Sequence, residues 1–258
     1  MQRKQQRRGA HARRKAVTAY AQDLAYVHDA GFSDYALGAS PWLLRTLRRQ
    51  GIREGLIVDL GCGSGRLAQE LNHAGYDCLG IDQSAAMLRL ARKVAPKSRF
   101  RRSSVFEANL PRCSAVLATG EILNYRFAGA RSSSAALRRL FRRVHAALEP
   151  GGAFIFDIAT PARAPKDGPR IYWKEGPDWS IYASTTTASR DELIRSMTVF
   201  RKVGDLYRRS EEVHRLRLYR AEDVVKALET CGFQVSIAGS YGSFRIPLGM
   251  AVFAARRA

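Results

Sequence analysis

The 258-residue sequence has little cysteine, little lysine and no apolar run approaching the roughly 20 residues that a membrane span needs. Its four cysteines, Cys62, Cys78, Cys113 and Cys231, form no CxxC pair and are spread too widely for a zinc site. They read as reduced thiols, so neither a disulfide framework nor a metal centre is expected. The N-terminus lacks the apolar segment of a secretory signal. Its arginines would suit an organellar transit peptide, but the segment has no serine and little amphipathic character. The expectation is a cytoplasmic protein without membrane association.

What the chain does have is positive charge, +20 in formal terms. Of its 43 basic residues 35 are Arg and 8 are Lys, a bias that a GC-rich coding sequence also produces. Seven lie in the first fifteen residues, and the others are dispersed over helices and strands. Nucleic acid is therefore a possible partner, while a solvated basic surface is the favoured reading. An apolar fraction of 46% is ordinary for a globular chain with a core, and this length suits one domain with an insertion.

Residues Met1 to Lys15 are polar and without apolar period, which predicts a loosely attached tail. Helical period begins at Val17 and runs to Phe32, and Ser40-Pro41 predicts the start of a second helix ending near Gly51. Strand and helix then alternate: strands over Leu56 to Asp59, Asp77 to Asp82, Arg99 to Val105, Ala115 to Thr119 and Ala153 to Asp157, with helices between them. Several of these strands are apolar throughout, which predicts a parallel sheet covered on both faces. After Asp157 the alternation stops. Three β-rich runs, Trp179 to Ala188, Leu193 to Val203 and Leu206 to Tyr219, predict an antiparallel insertion. A helix from Ala221 to Cys231 and strands near Phe233 to Ala238 and Gly249 to Ala254 complete the core.

The stretch Ile57 to Leu71 joins the first strand to a helix through Gly61, Gly63 and Gly65. Glycine tolerates positive φ and lets a ligand approach the backbone closely. The dinucleotide fingerprint GxGxxG would require a third glycine where Arg66 stands, so a nicotinamide cofactor is disfavoured. Asp82, 21 residues after Gly61 at the end of the second strand, is placed to accept hydrogen bonds from a ribose. A nucleoside cofactor is expected.

The motifs VDLGCGSG (Val58 to Gly65), GIDQS (Gly80 to Ser84) and LEPGG (Leu148 to Gly152) together resemble the class I S-adenosylmethionine-dependent methyltransferase family. The resemblance covers roughly Ser40 to Asp157 with the C-terminal helix and strands. It implies a Rossmann-like α/β fold: a seven-stranded sheet with its last strand antiparallel, an N-terminal helical lid and an antiparallel β insertion over the substrate. It further implies that Gly61, Cys62, Gly63 and Gly65 line the methionine portion of S-adenosylmethionine and that Asp59 supports the loop. Asp82 would hold the ribose, with Gln83 beside the adenine. Ser104, followed by Val105, stands where the family often has an acid facing the adenine amino group, and Thr119 and Gly120 complete the wall. On this reading 1–15 is a tail and 16–258 one domain, comprising N-terminal helices (16–51), a cofactor-binding core (52–159), the insertion (160–219) and a C-terminal core segment (220–258).

The acceptor is less constrained. Glu121, in the loop after the fourth strand, either orients a substrate, contacts the cofactor or caps a helix, and Asn124 and Tyr125 follow it. Glu212 and His214 fall on one face of the last insertion strand. They are a candidate base and its carboxylate neighbour, or else an exposed ionic pair. Tyr20, in the N-terminal lid, is the fourth catalytic candidate. The expected activity is direct methyl transfer to an N or O atom of a small molecule; an RNA or protein methyltransferase and a non-catalytic cofactor-binding module are the alternatives.

Overall fold

Apolar residues three and four apart place the first helices against the sheet. The computed structural model describes residues 20–126 and 133–258. Helix α1 spans Gln22–Phe32 and buries Leu24, Ala25 and Val27; α2 spans Asp34–Arg49 and buries Ala39, Leu43 and Leu47. The expected tail at Met1 to Lys15, and the start of the first helix at Val17, lie outside the described residues.

Helix α2 corrects one expectation, because Pro41 lies inside it instead of beginning it. A proline within a helix leaves the carbonyl four residues earlier without a donor. That carbonyl belongs to Leu37, and the Ser40 hydroxyl donates to it at 3.0 Å. The helix can therefore start nearly two turns before the proline.

The chain continues through β1 (Leu56–Leu60), α3 (Arg66–His73), β2 (Asp77–Asp82), α4 (Ala85–Val94), β3 (Arg99–Arg102), β4 (Cys113–Ala118), α5 (Ser134–Ala147) and β5 (Leu148–Ala159). Ser84 and Ser133 cap α4 and α5, each hydroxyl accepting an N–H three residues on at 3.1 Å. The insertion holds β6 (Arg170–Gly176), β7 (Trp179–Ser189), β8 (Glu192–Val203) and β9 (Leu206–Arg217). The chain returns by α6 (Ala221–Glu229), β10 (Phe233–Ala238), a hairpin of β11 (Ser240–Tyr241) and β12 (Phe244–Arg245), and β13 (Met250–Arg257).

The main sheet has the order β10-β13-β5-β4-β1-β2-β3, with β13 antiparallel to both neighbours and the other pairs parallel. This is the seven-stranded Rossmann-like arrangement expected from the sequence. Alternation along β5 divides the core between the two faces: Phe154 and Phe156 pack with Phe141 and Phe253, while Ala153 and Ile155 pack with Leu43, Leu47 and Leu71. Each such buried side chain contributes about 2 kcal/mol of transfer free energy.

The insertion is a four-stranded antiparallel sheet in the order β6-β7-β8-β9, one strand more than the sequence suggested. The added strand, β6, is mostly exposed. Asn124 fastens this sheet to the core. Its amide nitrogen donates to the carbonyls of Ala159 and Arg217, at 2.8 and 2.6 Å, and its oxygen accepts the Ala159 N–H at 2.9 Å. Both ends of that side chain are thus committed to structure, which answers whether Asn124 faces a ligand.

Candidate active site

The glycine loop after β1, the loop after β4 and the inner face of the insertion enclose a cavity of about 660 Å³ over the carboxyl ends of the parallel strands. Ligands in open α/β sheets bind at that end.

At one end of the cavity, β1 delivers the chain into Gly61, Gly63 and Gly65, all with positive φ. A Cβ at Gly61 would lie 2.2 Å from the Ile122 side chain, whereas at Gly63 it would meet nothing within 4 Å. Gly63 thus presents bare backbone to the cavity. Its N–H donates to Asp82 Oδ2 at 3.0 Å, and the Ser84 N–H donates to Oδ1 at 2.8 Å. Those bonds orient the carboxylate at the tip of β2, in the cavity wall. Burial pushes the Asp82 pKa up against the pull of these backbone donors.

Asp59 lies beneath the loop with Oδ2 buried and without a hydrogen-bond partner. Burial first, and then the charge of Asp82, push its pKa up to about 7. A bare glycine backbone, an oriented acid on the next strand and an unsatisfied carboxyl oxygen in one wall fit the polar groups of S-adenosylmethionine. Cys62, Gln83, Val105, Thr119 and Gly120 line the same cavity, with Asp59, Gly61, Gly63 and Asp82. Gly65 and Ser104 are not in that lining. Gly65 starts α3 and packs on Ala91, and the Ser104 hydroxyl accepts the Phe106 N–H at 3.3 Å within its own turn.

At the other end stands Glu121, whose backbone has a φ of 55° although it is not glycine. Such a conformation costs on the order of 1 kcal/mol and persists only where neighbours impose it. Asp157, on β5, imposes it by accepting the N–H groups of Gly120 and Glu121 at 2.9 and 2.5 Å. The hydroxyls of Tyr35 and Tyr241 donate to the same carboxylate at 3.0 and 2.6 Å. The Glu121 side chain is thereby turned to Arg195 of β8, 2.7 Å from Oε1, while Oε2 is buried and has no hydrogen-bond partner. Burial opposes the charge on Arg195, but Glu121, Tyr125 and Tyr20 outweigh it and raise the guanidinium pKa. Arg195 also donates to the Tyr125 hydroxyl at 3.3 Å, which lies 2.9 Å from that of Tyr20. Burial, followed by the Tyr125 neighbour, pushes the Tyr20 pKa well up, so its hydroxyl keeps its proton.

Glu212 and His214 share a face of β9, as alternation requires, and His214 Nε2 lies 2.9 Å from Glu212 Oε2. They are buried, not the exposed ionic pair of the alternative reading, and neither lines the cavity. The Glu212 carboxylate accepts the N–H groups of Tyr20 and Ala21, each at 2.7 Å. Tyr20, which does line the cavity, packs on His214 with ring centroids 5.0 Å apart, and its carbonyl accepts the Ser84 hydroxyl at 2.6 Å. Tyr20 therefore joins the start of α1, the N-terminus of α4 and the insertion.

The structure adds residues that sequence reasoning passed over. Asp157 carries a signal, being an acid inside an otherwise apolar strand. Arg195 carries another: between Leu193 and Val199 it is the one charged residue on its face of β8, beside the buried Leu193, Met197 and Val199. Arg170, Tyr172 and Lys174 also line the cavity, from the unexpected strand β6. Among the described residues no group of three or more His, Cys, Asp or Glu side chains is placed to hold a metal ion.

Residues 57–152 match the family described as "Methyltransferase domain". YqeM of Bacillus subtilis (strain 168), which bears the provisional name of a methyltransferase, is 27% identical over 192 residues, 70% of this chain and 74% of that one. Among solved structures, an S-adenosylmethionine-dependent methyltransferase from Clostridium acetobutylicum ATCC 824 superposes with a TM-score of 0.77 at 20% identity, covering 90% of this chain and 97% of that one. The sugar N-methyltransferase KedS8 from Streptoalloteichus sp. ATCC 53650 gives 0.75 at 19% identity, covering 98% and 99%.

Proposed function

We propose that the chain is a class I S-adenosylmethionine-dependent methyltransferase that methylates an N or O atom of a small molecule held between the loop after β4 and the insertion. The observation that carries this reading is the unpartnered Oε2 of Glu121, a buried acceptor in the cavity wall. Buried acceptors are seldom left unsatisfied, and one beside a cavity is completed by water or by a bound ligand. A cavity of about 660 Å³ is within the size of sites that enclose small ligands, and the likeness to a sugar N-methyltransferase fold supports a compact acceptor.

When bound, S-adenosylmethionine supplies the activated methyl. Asp82, with the bare backbone of Gly63, would hold the ribose and loop-facing parts, and Gln83 and Val105 would flank the base. Glu121 Oε2 would accept the hydrogen of the acceptor amine or hydroxyl and take its proton. Arg195 keeps the carboxylate aimed, and Tyr20 with Tyr125 screens the site from water. Glu212 and His214 act through Tyr20 as positioning residues.

The test is methyl transfer from radiolabelled S-adenosylmethionine to a panel of small amines and hydroxyl compounds, with Glu121→Gln as the comparison. Loss of about 100-fold or more in turnover, with cofactor affinity retained, is expected for a residue that takes a proton. Wild-type turnover in that variant would remove Glu121 from the reaction. Absence of cofactor binding by the wild-type protein would remove methyl transfer altogether.

A further inference from the structure

Arg163, Arg170, Arg195 and Arg245 all line the acceptor side of the cavity. Arg195 is paired with Glu121. Arg163, Arg170 and Arg245 have no ion pair or side-chain hydrogen bond among the described residues, and Arg163 Nε is buried without a partner. Arg163 stands close enough to Arg170 and Arg195 for their charges to oppose its own, and an anion among them would relieve that repulsion. Burial pushes the Arg163 pKa down, Glu121 pulls it up, and Arg195 and Arg170 press it down again.

The placement is built into the backbone. Arg163 ends a single 3-10 turn over Pro161–Arg163. The N–H and hydroxyl of Thr160 both donate to the Gly249 carbonyl, at 2.8 and 2.9 Å. Gly249 has a φ of 83°, and a Cβ there would lie 2.3 Å from the Arg163 backbone nitrogen. Only glycine allows the turn to seat so closely. Arg170 is fixed independently: it pairs with Thr185, which pairs with Arg195, so these three stand in one row on the same face of the insertion. Arg245 arrives from β12, and both it and Arg170 are solvent-exposed.

We infer that the acceptor carries a phosphoryl group, which Arg163, Arg170 and Arg245 bind at the mouth of the cavity while its nucleophilic N or O faces Glu121. This inference rests on the methyl-transfer reading above. A carboxylate would neutralise one of three uncompensated charges; a phosphoryl group carries about −1.5 to −2 at neutral pH and offers three acceptor oxygens. Guanidinium forks match that geometry with paired N–H donors, which lysine cannot reproduce.

The experiment titrates inorganic phosphate, pyrophosphate and succinate into protein saturated with S-adenosylhomocysteine, by calorimetry at constant ionic strength. Pyrophosphate is expected to bind with a dissociation constant on the order of 1 mM or below, and succinate at least about tenfold more weakly. Arg163→Gln and Arg170→Gln should each weaken pyrophosphate binding by about tenfold while S-adenosylhomocysteine affinity stays at the wild-type value. Arg245→Gln, at an exposed position, gives the same reading should Arg163→Gln fail to fold. The inference is overturned if wild-type protein does not bind pyrophosphate, if succinate binds as tightly, or if the variants bind as well as wild type. Loss of S-adenosylhomocysteine affinity in Arg163→Gln would also overturn it, by assigning that arginine to the cofactor. Failure of the wild-type protein to bind S-adenosylhomocysteine would instead remove the methyl-transfer reading; pyrophosphate titrated into the free protein then decides the anion site alone.

Discussion

Arg195 of the insertion and Glu121 of the loop after β4 lie 2.7 Å apart, across the cavity wall that joins the two sheets. Both side chains are largely buried, so the pair is shielded from salt, and removal of either member strands the other in a poorly solvated site. Arg195→Met should lower stability by about 2 kcal/mol and abolish turnover, because Glu121 loses its aim. Urea unfolding reads the first effect as a lower midpoint at unchanged slope. A midpoint equal to wild type would show that the pair is energetically idle.

Asp82 meets the glycine loop through the Gly63 N–H and its own strand end through the Ser84 N–H. Asp82→Ala removes both the proposed ribose acceptor and the bond that ties Gly63 to β2. S-adenosylhomocysteine binding should weaken by at least about 100-fold, the equivalent of two charge-assisted hydrogen bonds. Calorimetry with unchanged affinity would refute the cofactor assignment.

For Glu212 and His214 the structure separates two roles that the sequence left joined. A base would have to reach the acceptor, whereas the Glu212 carboxylate holds the Tyr20 and Ala21 N–H groups and His214 supports the Tyr20 ring. Glu212→Ala should cost about 2 kcal/mol of stability and raise KM more than it lowers kcat. His214→Phe, which keeps a ring beneath Tyr20, should retain most turnover. Loss of kcat by about 1,000-fold in His214→Phe, with KM unchanged, would restore the base assignment.

Asp59 predicts a pH effect on the ligand-free protein. Its pKa rises from 3.8 in the unfolded chain to about 7 in the fold. Between about pH 4 and pH 7 the folded state keeps a proton that the unfolded chain has released, so this group makes stability fall as pH rises, by roughly 1 kcal/mol per pH unit, and the fall ends above pH 7. Asp59→Asn should flatten that slope. Thermal or urea denaturation of the two proteins from pH 5 to pH 8 measures it, and identical slopes would contradict the burial argument.

The parts that could be read in the sequence are those in which one local rule dominates. Glycine spacing and an acid at the next strand end fix Gly61, Gly63 and Asp82 without reference to anything distant, and apolar period gives the strands of the main sheet. Pro41 misled because its helix is rescued by a hydroxyl one residue away, a compensation invisible to propensity. Strand β6 leaves little trace in the sequence, because Gly168-Pro169 and Gly176-Pro177 bracket it and its residues are mostly exposed on both faces. The contacts of Arg195, Asp157 and Glu121 depend on β8, β5 and the loop after β4 converging, information that no single stretch contains.

Strand β6 is bonded to β7 on one side only, yet every second residue of it, Arg170, Tyr172 and Lys174, borders the cavity. Changes at those positions are felt by β7 and, through Tyr172 and Lys174, by Phe32 and Gly31 of α1. Under the proposed function, substitutions on this outer strand would change what the acceptor end of the cavity presents while leaving the wall of Asp82 and the glycine loop in place.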